Sequence, residues 1–168
     1  MWYLFYLVRS LDIAYYLTAM MMGIGSYLVL TQLQVGRKKS AAAGLLVAYV
    51  FLVMSVTVLS RGHVKEETVY LVPFWSYIEI LRGSPETYSL ATEIVLNILM
   101  LVPVGFLLPV LVKRHSVLYG ILVSVCIEVF QLITGRGYFE VNDLIHNSLG
   151  IVIGYGIYRL ARRIVGSY

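Results

Sequence analysis

Charge is scarce in this chain, and so are the residues that staple or functionalise a small soluble domain. Only 13% of its 168 residues are Asp, Glu, Lys or Arg, and it has one cysteine, three histidines and four prolines. Soluble domains carry about 25% charged residues, so a water-facing globule is excluded. A lone cysteine, Cys126, rules out an intramolecular disulfide and any Cys-x-x-Cys centre. Set inside an apolar run, it is expected to pack as a small buried hydrophobe. No His-Glu-x-x-His run, Gly-rich phosphate loop or basic, aromatic-rich patch of the kind nucleic acid needs occurs. That removes common metalloprotease, nucleotide and nucleic-acid signatures, and neither a cofactor nor a nucleic-acid partner is expected. Met1–Val8 is apolar and aromatic without a preceding basic stretch, so the first hydrophobic segment is expected to be retained rather than cleaved.

What fills the chain is hydrocarbon. Hydrophobic residues make up 60% of it and the mean hydropathy is +0.83, which implies a single all-α membrane domain over residues 1–168, built as a helical bundle. About 20 apolar residues cross a bilayer as a helix, and five stretches qualify: 11–33, 41–60, 91–112, 116–134 and 144–164. The connection 61–90 is too long for a bare turn. Its part Val69–Leu81 mixes apolar residues with Tyr70, Trp75 and Tyr77. It reads either as an interfacial or re-entrant element over the bundle mouth or as an aromatic belt anchoring a loop.

Charge orients the bundle. Arg37, Lys38, Lys39, Lys113, Arg114, Arg159, Arg162 and Arg163 fall on one side with no acid among them. The other side holds Arg9, Arg61, Lys65, Arg82 and Arg136 together with Asp12, Glu66, Glu67, Glu79, Glu86, Glu93, Glu140 and Asp143. Cytoplasmic loops are enriched in Lys and Arg, so the expected topology is N-terminus out and C-terminus in. The pI near 9.2 then reflects topology rather than a polyanionic partner.

Glu128 is the anomaly. It lies inside the apolar run Ser116–Thr134, where an ionisable group costs about 2.5–3.5 kcal/mol or more unless it meets a polar partner or water. Partners are available at the same depth. Glu93 and Asn97 share a face of the third span, Gln131 follows Glu128 by one turn, and Asp143 and Asn147 share a face of the fifth. At 1.5 Å per residue, Glu128, Asn97 and Asn147 all lie roughly 6–9 Å below the outer boundary. Arg136 and Glu140, in the loop between spans four and five, are expected to cover the same spot. Below Asn147, Gly150 and Gly154 allow close helix approach, and Gly105 beside Pro103 marks a kink or packing notch on the third span. Two readings stay open. The polar groups are interhelical glue, with Glu128 and Arg136 as a structural ion pair, or they line a site. A metal reading built on Asp143 and His146 is weak, because His146 is expected to point partly away from Asn147, and no metal is expected. His63 and His115 belong to no partner pattern.

Taken in order, Asn97-Ile-Leu-Met-Leu-Val-Pro-Val-Gly105-Phe, Glu128-Val-Phe-Gln131, Gly135-Arg136 and Asp143-Leu-Ile-His-Asn147-Ser-Leu-Gly150 with Gly154 resemble the VanZ-like family of bacterial membrane proteins. Tyr70-Leu-Val-Pro-Phe74 is similar to the family's Asn-Leu-Ile-Pro-Phe element. The resemblance spans about 69–165. It implies a multi-pass protein of the bacterial cytoplasmic membrane acting at the outer leaflet, with an association to low-level teicoplanin resistance. The partners expected from it are a membrane lipid, a lipid-linked wall precursor or a glycopeptide antibiotic; oligomeric state is left open. One expectation is a non-catalytic cleft binding a headgroup through Glu93, Asn97, Glu128, Gln131, Arg136, Glu140, Asp143 and Asn147. The other is an intramembrane hydrolase or transferase with Glu128 as general acid or base, Arg136 on developing negative charge and Asp143 orienting water or substrate.

Overall fold

Long apolar stretches bounded by charge become helices because the chain must satisfy its own backbone hydrogen bonds away from water. In the computed structural model, residues 11–63 and 69–165 are described; Arg9, Lys65, Glu66 and Glu67, assigned above to one side by charge, lie outside them. The helices are α1 (Ile13–Gln32), α2 (Arg37–Met54), α3 (Trp75–Leu81), α4 (Thr87–Leu111), α5 (Ser116–Thr134) and α6 (Val141–Val165). A π-helical turn, Ser55–Leu59, continues α2. Four of these, α1, α2 with its π turn, α4 and α5, are long and apolar enough to cross a membrane. The sequence marks a fifth span at 144–164, and a helix occupies it. At about 37 Å by the standard rise, α6 has the length, but Asp143, His146, Asn147 and three arginines dilute its apolar character.

Local chemistry explains the boundaries. Asp12, an acid at the start of an apolar run, accepts from the Ala14 N–H at 3.3 Å and caps α1. Gly135 ends α5 at φ +60°, a left-handed conformation that glycine adopts without a Cβ penalty. Phe74 opens α3 at φ +59°, which is strained for a side chain with a Cβ. The strain is held by Asn142, whose Oδ1 accepts from the Phe74 N–H and whose Nδ2 donates to Ser76 Oγ at 3.0 Å.

The core takes one residue from each of four helices: Val53, Leu101, Ile127 and Ile151. The tightest seam joins α4 to α6. A Cβ on Gly150 would collide with the Ile98 carbonyl, one on Gly154 with the Val102 carbonyl, and one on Gly105 with Ile151 O. The small-residue pattern therefore allows backbone-to-backbone approach along parallel helices. α4 stays helical through Pro103 and Pro109, so the notch near Pro103 takes the form of this glycine seam. α1 packs chiefly on α2, where Gly23 and Gly44 meet.

Cys126 corrects an expectation. It is exposed on the bundle's outer surface, whereas Ile127 and Glu128, the next two residues, are buried. Each step around a helix turns by about 100°, which is enough to move a side chain off the packed face.

Two short strands complete the frame. β1 (Val69–Tyr70) and β2 (Phe139–Glu140) pair in parallel, Val69 opposite Phe139 and Tyr70 opposite Glu140. This clip fastens the segment before α3 to the entrance of α6, and α3 is thereby laid over the end of the bundle where α5 finishes and α6 begins. Within 69–81, α3 is helical and bonds to Glu140 and His146 through Trp75 and Tyr77.

Candidate binding cleft

The clip and the glycine seam bring acids from three segments together. Glu128 is 2% exposed on α5, and its Oε2 accepts from the Glu140 backbone N–H at 3.3 Å. Asp143, in the first turn of α6, accepts from Asn97 Nδ2 of α4 at 2.6 Å. Asp143 and Glu140 lie close enough to act electrostatically on Glu128, and Glu140 and Glu93 act likewise on Asp143. Glu93, Glu140 and Asp143, with Trp75, Ser76, Asn142 and His146, line a narrow cleft with room for about one water molecule.

α3 closes the cleft with side chains. The Trp75 indole N–H donates to Glu140 Oε2 at 3.2 Å. Ser76 receives the Asn142 amide, and Tyr77 Oη pairs with His146 Nε2 at 3.0 Å. Glu140, half-buried outside the helices, has its carboxyl pushed above the ordinary range, first by burial. Glu93 pushes in the same direction; the Trp75 hydrogen bond and Arg61 oppose it.

Two expectations about charge change. Arg136 forms no ion pair with Glu128; it donates to the Leu59 carbonyl at 2.9 Å, capping the π turn. That turn leaves carbonyls unmatched at its end, and a guanidinium is well suited to satisfy one. The cation that acts on Glu93, Glu128, Glu140 and Asp143 alike is Arg61. Among the described residues none of these four carboxyls closes an ion pair. Gln131 also turns elsewhere, donating to the Thr57 carbonyl at 3.3 Å beneath the π turn.

His146 is 2% exposed, lines the cleft and turns to Tyr77 of α3. Its Nδ1 is buried without a partner, as are Gln131 Oε1, Asn147 Oδ1 and Ser124 Oγ. Asn147 is brought to the bundle interior but not into a hydrogen bond with Glu128. Buried polar atoms normally find partners, so these four are open valences beside and beneath the acids. Asn142, Ser76 and Trp75 line the cleft, and sequence reasoning did not place them at the site. Among the described residues, no cluster of three or more His, Cys, Asp or Glu has metal-binding geometry.

A family model described as VanZ/LLP1 matches residues 41–162. The match begins upstream of the 69–165 resemblance and takes in most of α2 and the π turn, which supplies the Thr57 and Leu59 carbonyls. No curated protein and no solved structure matches the chain.

Proposed function

Since the chain belongs to the VanZ/LLP1 family, we propose that it is a multi-pass protein of the bacterial cytoplasmic membrane whose acid-lined cleft binds a polar headgroup at the outer leaflet. The carrying observation is that Glu140 and Asp143 line a cleft beside Trp75 and Ser76 of α3, while Glu128 accepts from the Glu140 N–H and Asn97 donates to Asp143. An excess of carboxyls over cations favours a partner that brings hydrogen-bond donors or positive charge. Amine- and hydroxyl-bearing headgroups, including those of lipid-linked wall precursors and of teicoplanin-type glycopeptides, have that chemistry. Segregation of basic residues to one end supports five spans with the N-terminus out and the C-terminus in. The cleft is closed as folded, so entry requires α3 to lift, breaking the Trp75–Glu140 and Tyr77–His146 bonds.

Binding tests this reading. Full-length protein in neutral nanodiscs is titrated with a lipid-linked disaccharide–peptide wall precursor and with teicoplanin. Affinity for at least one is expected to fall about tenfold or more in Glu128→Leu, the loss of one charge-assisted contact. Binding of neither ligand, or equal binding by wild type and variant, overturns it.

A second reading rests on Glu128 and Asp143 lying within electrostatic reach of each other. Neighbouring carboxyls whose environments differ can divide acid and base roles, as an enzyme acting on a lipid-linked envelope substrate would require.

A further inference from the structure

At the end of the bundle opposite the acidic cleft, a second concavity of about 380 Å³ opens between α4 and α6. Its wall carries Lys113, just past the end of α4, and Arg159, Arg162 and Arg163 from the last turns of α6, with Tyr155 and Tyr158 between them. Among the described residues no carboxylate lines it. The volume falls within the roughly 300–1,000 Å³ typical of small-ligand sites.

Two ordinary explanations of these cations are insufficient. Charge bias that sets topology needs only basic residues near one end of a span, as Arg37, Lys38 and Lys39 are in the first turn of α2. Here the cations come from two helix ends held together by the Gly105, Gly150 and Gly154 seam. Helix C-termini attract cations, but each is equivalent to only about half a negative charge. Without Arg163, Lys113, Arg159 and Arg162 still bring three positive charges to two such ends. Among the described residues none of these three has a carboxylate within ion-pair distance. The aromatic rings shape the wall: Arg159 lies 6.0 Å over the Tyr155 ring centroid, and Tyr158 packs edge-on to Phe106 of α4 at 6.1 Å.

From this geometry we propose that the basic cleft is a binding site for a phosphate-bearing anion, with the guanidiniums of Arg159 and Arg162 and the Lys113 ammonium gripping the phosphate oxygens. Guanidinium forks match phosphate geometry, and basic pockets between helices at a membrane surface are suited to anionic headgroups. The anion comes either from a phospholipid headgroup or from solution. The site is independent of the acidic cleft and of its ligand.

The experiment uses full-length protein in phosphatidylcholine nanodiscs, alone, with phosphatidylglycerol added, or with inorganic phosphate added. Native mass spectrometry counts retained lipid, and thermal unfolding reports phosphate. Variants are Arg159→Gln with Arg162→Gln, the same pair changed to Lys, and Arg37→Gln with Lys38→Gln and Lys39→Gln as a control that removes basic charge outside the cleft. Both arginines are exposed, so the fold is expected to survive. At roughly 1 kcal/mol per basic residue, the double Gln variant is expected to lose about thirty-fold in affinity. The Lys pair loses less, and the control is nearly unchanged. Preferential retention of phosphatidylglycerol with that pattern assigns the anion to lipid; stabilisation by inorganic phosphate alone, with that pattern, assigns it to solution. Equal losses in the control and the Gln pair, or no response to either anion, overturn the proposal.

Discussion

Glu128 is a residue whose two chemical properties can be separated. Glu128→Gln keeps its shape and its ability to accept from the Glu140 N–H but abolishes ionisation. Under the recognition reading, ligand affinity in this variant is expected to stay within about threefold of wild type if hydrogen bonding carries recognition, with the loss confined to Glu128→Leu. Under the catalytic reading, turnover of a lipid-linked substrate falls by about 10²-fold or more in both. Measuring binding and turnover side by side, at matched membrane abundance, decides between them. Glu140 gives a pH prediction. Its carboxyl is raised above the ordinary range by burial, so the folded state holds its proton more tightly than the unfolded chain. Its contribution to stability is complete below the unfolded value of about 4.3 and is lost as pH rises through the folded value. Glu140→Gln is therefore expected to flatten the decline in thermal stability above about pH 4 while retaining an acceptor for Trp75. A decline equally steep in the variant would contradict the assignment.

Legibility in the sequence differs from residue to residue. Glu128, Asn97 and Asp143 could be read because polar groups in apolar runs stand out by cost, and helical rise fixes their depth. Arg61 could not be told from Arg136, since both flank the same end and only the path of the π turn sends Arg136 to Leu59. Asn142 and His146 were hidden for a related reason. Their partners, Ser76 and Tyr77, lie more than sixty residues away, and no local periodicity encodes that pairing.

At the scale of elements, helix positions followed from apolar length, whereas two-residue strands carry no period to detect. The β1–β2 clip and the left-handed entry to α3 at Phe74 depend on tertiary contact. The glycine seam is the element-level claim most open to test. Gly154→Leu would drive a side chain into the Val102 carbonyl. Overpacking costs typically 1–3 kcal/mol, and a backbone obstacle cannot rotate away, so a loss of about 2 kcal/mol or more is expected in denaturation from detergent micelles. Gly156→Ala, where a Cβ meets nothing within 4 Å, is expected to be neutral or slightly stabilising because alanine is the better helix former. Equal destabilisation by both would mean that α4 and α6 do not pack through this seam.

For the molecule as a whole, the two ends differ in charge and in architecture: acids under α3 at one end, basic residues around the α4–α6 cleft at the other. If the positive end faces the cytoplasm, reporters fused after Lys39 or Lys113 report inside, and one inserted after Tyr138 reports outside. A Tyr138 fusion reporting cytoplasm would invert the molecule and move the acidic cleft to the wrong leaflet for a wall precursor. The most direct measurement places a photo-cross-linking amino acid at Trp75, in the cleft wall, and separately at Cys126, on the outer surface of α5. After irradiation of living cells, captured molecules are identified by mass spectrometry. The account predicts that position 75 captures a saccharide- or peptide-bearing lipid that position 126 does not, and that Glu128→Leu abolishes this capture. The same bulk phospholipids at both positions, unaffected by the variant, would contradict it.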